Sequence, residues 1–262
     1  MGIIRGQGRG INAQYNQVQT NFNPEVGFIR RPDNTQYAAE FFWRPLFPQS
    51  DRIRNLTFGS TAEYFQGGNG KVETRTQDLT LGIQFESNAQ VNFTANHTFD
   101  RLVNSTRIQR IPIPAGDYGY VDYAASFTTN TTKKISGNGN VNWGEFWNGR
   151  RRSSAAGLVL KPNYHLSVTM NYTQNLVKLA NGASTANLIG TRFIYGFSPR
   201  SFFNAFVQFN GDTHEVSTNI RFNITYRPLS DLYLVYNDRR STATHEPIER
   251  AFIVKLTNLF TF

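Results

Sequence analysis

The chain has 262 residues, of which 39% are hydrophobic and only 17% are charged, a balance that excludes an intrinsically disordered chain. With a mean hydropathy of −0.45, it contains no apolar stretch near the roughly 18 residues that a membrane-spanning helix requires. It has no cysteine, which excludes disulfides and thiolate chemistry. Its formal charge of +9 suits a phosphate-bearing partner, either nucleic acid or lipid headgroups.

Strands are favoured throughout the chain. The 22 phenylalanines and 12 tyrosines fit a pleated sheet better than a helix. Between Glu215 and Arg227, apolar and polar residues alternate with a period of two, which places them on opposite faces of one strand. The same alternation recurs along the chain and predicts about fourteen strands, at 10–19, 34–44, 52–65, 71–87, 90–102, 117–130, 134–147, 153–161, 163–179, 187–197, 201–210, 215–227, 231–238 and 249–262.

Strand length and connection length both favour an antiparallel, up-and-down transmembrane β-barrel formed by a single domain, 1–262. Many of the predicted strands have ten or more residues, whereas strands of soluble proteins average about 5–6 and bilayer-crossing strands need about 9–11. Short connections with a proline at the strand end alternate with longer ones at 103–116, 180–186 and 239–248, as in outer-membrane barrels. Both termini are then expected on the periplasmic side.

The two faces of such a barrel carry different residues. We expect the lipid-facing side to include Phe203, Val207, Phe209, Val216, Ile220, Phe222, Ile224, Leu256 and Phe260. The polar faces supply four candidate lumen residues, Glu40, Glu63, Arg192 and Arg221. Arginines in a lumen either favour passage of anions or pair with acidic residues across a packed interior.

Two connections suggest contacts outside the barrel wall. The arginines Arg150, Arg151, Arg152, Arg239 and Arg240 lie in predicted outer connections, where guanidinium groups suit the phosphates of lipopolysaccharide. Solvated loop charge explains these arginines equally well. The long connection 103–116, with Pro112 and Pro114, either folds inward as a constriction or stands outward.

Two blocks of sequence resemble a known family. They are Asn21-Phe22-Asn23-Pro24-Glu25-Val26-Gly27-Phe28-Ile29-Arg30-Arg31 and the tail, Val216 to Phe222 followed by Tyr226 to Asn237. The chain resembles the C-terminal part of members of the domain-of-unknown-function 5916 family. The resemblance implies a bacterial outer-membrane β-barrel that is usually preceded by a carbohydrate-binding family 9-like module, and it implies no catalytic residues.

Motifs for other chemistry are absent from the sequence. The four histidines are isolated from one another, Gly67 to Lys71 departs from the phosphate-loop pattern, and no nucleophile elbow occurs. Arginines and aromatics alternate on opposite strand faces, whereas nucleic-acid binding requires them on one face. We expect no enzymatic activity, no metal, no cofactor and no nucleic-acid partner.

Three functional hypotheses follow. The first is an outer-membrane pore or transporter for small polar or anionic solutes, surrounded by outer-membrane lipid and lipopolysaccharide. The second is a structural or binding barrel that displays loops or anchors a periplasmic module. The third is a soluble all-β carbohydrate-binding protein. In the membrane hypotheses, the terminal strand ending at Phe262 would present a signal to the barrel assembly machinery.

Overall fold

The structure is a computed structural model that describes residues 2–5, 8–23, 25, 33–108 and 110–259. The described residues form no helix, and most lie in seventeen β-strands. The strands are β1 (Gly2–Arg5), β2 (Arg9–Val18), β3 (Asn34–Trp43), β4 (Ile53–Gly67), β5 (Val72–Phe85), β6 (Gln90–Leu102), β7 (Thr106–Ile108), β8 (Ile111–Ile113), β9 (Gly116–Thr128), β10 (Ile135–Phe146), β11 (Gly149–Leu160), β12 (Leu166–Leu179), β13 (Gly182–Ser198), β14 (Ser201–Asn210), β15 (Glu215–Arg227), β16 (Ser230–Ser241) and β17 (Pro247–Leu256).

The fourteen long strands form an antiparallel up-and-down sheet. The strand order is the order of the chain, from β2 to β6 and from β9 to β17, and the short β1 pairs with β2. Strands β7 and β8 form a separate two-stranded hairpin. Each of the fourteen predicted strands overlaps one of these fourteen, so the all-β, up-and-down arrangement predicted from alternation is confirmed.

The predicted connections are less accurate. Only Ala180 and Asn181 separate β12 from β13, so the long loop expected at 180–186 does not exist. The connection expected at 239–248 shrinks to residues 242–246 because β16 continues to Ser241. The loop at 103–116 instead contains the hairpin β7–β8. Arginines 150–152 lie within β11 rather than in a connection.

The chain divides into two compact units. Unit 1 comprises Met1–Phe127, Asn140–Ser153 and Leu176–Ser184, and unit 2 comprises Thr128–Gly139, Ser154–Asn175 and Thr185–Phe262. No helix in the described part of the chain is both long and apolar enough to cross a membrane.

In unit 1, strand register gathers apolar residues on one face. Trp43 lies opposite Phe58, Phe58 opposite Leu81, and Leu81 opposite Phe93. Because directly opposed residues share a face, this is a continuous apolar row across β3–β6. The other face carries a polar row of Asn12, Glu40, Thr61, Asp78 and Asn96.

Unit 2 repeats this division. A row of Phe203, Phe222, Leu234 and Val254 crosses β14–β17. The register also confirms that eight residues of the expected lipid face share one side of the sheet, namely Phe203, Val207, Phe209, Val216, Ile220, Phe222, Ile224 and Leu256. The ninth, Phe260, lies outside the described residues.

Only six hydrophobic side chains of the described chain are buried. They form one cluster in unit 1, made of Ile111, Ile113, Tyr120, Phe146, Val177 and Leu179. The apolar face of the sheet is instead uncovered, and Leu79 at its centre is 65% exposed. Among the described residues there is therefore one small core beneath the hairpin, and none of them covers the apolar face.

The burial of Ile113, which is 0% exposed, predicts that Ile113→Ala lowers the free energy of unfolding by about 2–5 kcal/mol. The control is Val103→Ala in the same connection, where the side chain is exposed and a change within about 0.5 kcal/mol is expected. Urea titration measures the free energy of unfolding of both variants. Equal effects of the two substitutions would contradict the buried hairpin.

Candidate functional site on the polar face

The hairpin β7–β8 covers part of the polar face of unit 1. Ile111 and Ile113 pack against Tyr120 of β9 in the buried cluster. Tyr120 and Asp122 are two residues apart in β9, so their side chains point to the same face. The Asp122 carboxylate accepts a hydrogen bond from Asn96 of the polar row at 3.3 Å. Of the two arrangements open for the 103–116 connection, the structure therefore has the hairpin folded against the polar face.

Hydrogen bonds fix both sides of the hairpin. The Tyr118 hydroxyl donates to the carbonyl oxygen of Pro114 at 2.9 Å, and Asn181 Nδ2 donates to the carbonyl oxygen of Pro112 at 3.2 Å. These bonds join the hairpin to the start of β9 and to the β12–β13 turn. The hairpin is thus held by polar contacts at its edges and apolar contacts at its centre.

Asp100 of β6 organises the aromatic residues beside the hairpin. Its carboxylate accepts hydrogen bonds from the Tyr120 hydroxyl at 2.9 Å, from Trp147 Nε1 at 3.2 Å and from Thr74 Oγ1 at 3.1 Å. The Trp147 ring in turn stacks on Phe146, with ring centroids 5.2 Å apart. This group was not predictable from the sequence, because its members come from four strands and a turn with no common motif.

Arg151 belongs to the same surface. Its Nη2 lies 3.7 Å from the Asp122 carboxylate, and its guanidinium lies 4.3 Å from the centre of the Phe146 ring. Since successive residues of a strand point to opposite faces, Arg150 and Arg152 lie on the apolar side. Alternation along β11 thus divides the three arginines between the two faces, and their expected contact with lipopolysaccharide stays a prediction.

An acidic group lies farther along the polar face of unit 1. Asn12 Nδ2 donates to Glu40 at 3.0 Å, Gln36 Nε2 donates to Glu63, and Thr61 Oγ1 donates to Asp78 at 3.0 Å. The three carboxylates line an open depression of about 570 Å³. Within the described part of the chain they form no ion pair with a Lys, Arg or His side chain, so Glu40 and Glu63 contribute negative charge to this face.

The polar face of unit 2 carries cationic residues. Arg192 lies 5.0 Å from the centre of the Phe206 ring, and Arg221 lies opposite Asn204 in the register. Arg239 is on this face as well, where its Nη2 lies 3.4 Å from Glu249. It alternates with Arg240 and points to the polar side, and its expected contact with lipopolysaccharide stays a prediction.

The apolar face of unit 1 contains an open groove. Its volume is about 560 Å³, and aromatic and aliphatic side chains border small residues such as Ser60 and Ala95 along it. Tyr123 and Trp143 form part of the groove, with ring centroids 6.0 Å apart. Such a surface suits an apolar chain more than a polar solute.

Comparison with known proteins gives no assignment. No family model matches the chain, and no curated protein matches it. In the described residues there is also no group of three or more His, Asp or Glu side chains arranged to hold a metal ion. The two faces of the sheet and the hairpin are therefore the features that bear on function.

The role of Asp100 predicts that Asp100→Asn loosens the hairpin. An amide offers one acceptor oxygen where the carboxylate offers two, so at least one buried donor loses its partner, at a cost of about 1–3 kcal/mol. Trypsin cleavage after Arg107 and Arg110 should become several-fold faster. Asp212→Asn, in an exposed turn, is the control, and equal cleavage rates for the two variants would rule out the proposed role of Asp100.

Proposed function

We propose that the chain forms an outer-membrane β-barrel whose polar face lines a path for small polar solutes. The observation that carries the proposal is the uncovered apolar face opposite a hydrogen-bonded polar face in both units. In water such a face costs free energy in proportion to its area. An apolar face in contact with lipid needs no second layer of protein. Alternation of apolar and polar residues along each strand is the pattern of membrane barrels.

Strand lengths support the same proposal. The fourteen long strands have between 10 and 17 residues, which is enough for the roughly 9–11 residues of a tilted membrane crossing. Tyr15, Tyr37 and Tyr64 lie in one row near the β2–β3 and β4–β5 connections, and Trp43 and Phe58 lie near the other end. Aromatic residues at two levels match the girdles of an outer-membrane barrel.

Closure of the sheet is part of the proposal. An open sheet leaves two edges with unpaired backbone groups, which lipid cannot satisfy, and closure removes both edges. The even number of long strands returns the chain to the side on which β2 begins, which we propose is the periplasmic side. A barrel of about fourteen strands is wide enough for a lumen.

The charges of the polar face bear on the solute. Glu40, Glu63 and Asp78 give unit 1 a negative surface, whereas Arg192 and Arg221 give unit 2 a positive one. We therefore propose passage of small polar solutes in general, of which anions are one class. The hairpin at 106–113 would narrow this path.

The firm packing of the hairpin supports a second candidate function. Ile111 and Ile113 are buried in a core rather than lying free over the polar face, and a fixed hairpin can act as a plug. The chain would then be a structural or binding barrel that displays loops or anchors a periplasmic module, as its resemblance to the domain-of-unknown-function 5916 family implies. The contact with the assembly machinery through Phe262 also belongs to the proposal, and that residue lies outside the described part.

The three tryptophans provide a test of membrane insertion. Trp43 and Trp143 lie on the apolar face, whereas Trp147 lies beside the hairpin on the polar face. In variants that keep one tryptophan and replace the others with Phe, brominated lipid should strongly quench the fluorescence of Trp43 and Trp143 and leave that of Trp147 nearly unchanged. Equal quenching of all three would contradict the assignment of faces.

Proteoliposome swelling distinguishes the pore from the plugged barrel. The original protein is compared with a variant in which residues 104–115 are replaced by a short turn. Both are used only as refolded samples that migrate faster on a gel when they are not boiled. For a pore, the original protein admits a small neutral sugar and the shortened variant admits it several-fold faster. Swelling by the shortened variant alone favours the structural barrel, and β-rich protein that stays soluble without detergent overturns both.

A further inference from the structure

A cluster of two arginines and one aspartate lies at the loop end of the apolar face in unit 2. Arg240 Nε donates to Asp238 Oδ2 at 2.5 Å, and Arg250 Nε donates to Asp238 Oδ1 at 2.8 Å. The side chain of Asp238 is only 9% exposed. One carboxylate therefore holds two guanidinium groups in place on neighbouring strands.

The register places this cluster directly above an apolar stripe. Leu234 lies opposite Val254, Tyr236 opposite Phe252, and Asp238 opposite Arg250. Toward the β16–β17 connection, the same face thus changes from aliphatic to aromatic to charged. This order matches the layers that a lipid presents, with acyl chains below and a charged headgroup above.

The cluster retains positive charge and unused donors. Both arginines contact Asp238 through Nε, and within the described residues neither makes an ion pair with a second carboxylate. Their side chains are 47% and 50% exposed. Two guanidinium groups face one carboxylate, so the cluster carries two positive charges and one negative charge.

We propose that Arg240 and Arg250 bind the phosphate of an outer-leaflet lipopolysaccharide whose acyl chains lie along β16 and β17. This inference rests on the proposed membrane function and adds a defined lipid site to it. Arginine is suited to phosphate because its planar group donates two parallel hydrogen bonds. The exposed Phe252, at 68%, and the aliphatic residues that follow it on β17 supply the apolar part of the site, which a free phosphate would not use.

Neighbouring Arg239 provides a matched control. It is adjacent to Arg240 on the same strand, but it points to the polar face and pairs with Glu249. Replacing Arg239 removes the same charge from the same strand without touching the proposed site. If only the net positive charge mattered, replacing Arg239 and replacing Arg240 would weaken lipid binding equally.

The test measures binding of purified lipid A to the detergent-refolded chain by native mass spectrometry. The double variant Arg240→Gln/Arg250→Gln should bind at least about tenfold more weakly, because charge-assisted hydrogen bonds are lost. Arg239→Gln should remain within about twofold of the original protein. Equal affinity of the double variant, or no saturable binding by the original protein, would overturn the inference.

Two further measurements separate the possible failures. Millimolar inorganic phosphate should not displace lipid A, and complete displacement would show a site for free anions and overturn the lipid assignment. Gel mobility without boiling is recorded for every variant. If all variants shift but bind lipid A equally, the lipid site is wrong while the barrel stands, whereas unshifted protein that is soluble without detergent refutes the proposed function itself.

Discussion

The structure depends on one constraint, the pairing of each long strand with its neighbours in a register that keeps two faces distinct. A slip of one residue would move every apolar side chain to the polar face, exchanging the surroundings of Phe222 and Arg221, for example. The irregularities in unit 2 lie near strand ends, at Gly196/Ser198, Thr225/Arg227 and Arg239/Arg240. The central rows are thereby left intact.

This constraint explains why so little of the chain is buried. A sheet with one apolar face normally covers it with a second layer, yet here the described residues offer only the hairpin β7–β8, and it packs on the polar face. The buried cluster therefore needs its own apolar residues at polar-face positions, such as Tyr120 and Phe146. Within unit 1, the polar face therefore carries hydrogen-bonded carboxylates, the aromatic residues around Asp100 and the hairpin β7–β8.

The parts of the fold that depend on local, periodic patterns were predictable from the sequence. Alternation is a property of each strand alone, so all fourteen long strands and their shared apolar face were predictable. The tight turn after Leu179 was missed although Asn181-Gly182 is a dipeptide that favours a short hairpin turn, because the polar residues that follow it resemble a longer loop, whereas β13 already begins at Gly182. The three-residue strands of the hairpin are too short to show a period.

The candidate site was predicted only in part, for a related reason. Alternation correctly placed Glu40, Glu63, Arg192 and Arg221 on polar faces, but it gave no information about the contacts of Asp100 or Arg151. Those contacts join residues far apart in the chain, such as Asp100 and Trp147. The arginine runs were assigned as groups, although alternation within a strand must divide them, as it does for Arg239 and Arg240.

The arginines at the loop end of the apolar face differ in how they are hydrogen-bonded to their aspartate partners. In unit 1, Arg101 donates hydrogen bonds from both Nε and Nη2 to the Asp117 carboxylate, at 2.7 and 2.6 Å. This bidentate pair neutralises one charge with another. In unit 2, Asp238 divides its two oxygens between Arg240 and Arg250 and contacts each only through Nε. The first arrangement completes an ion pair, whereas the second fixes two guanidinium groups and leaves one positive charge uncompensated. The hydrogen-bonding geometry around the carboxylate, more than the number of arginines, therefore distinguishes a structural ion pair from the anion-binding surface that we propose.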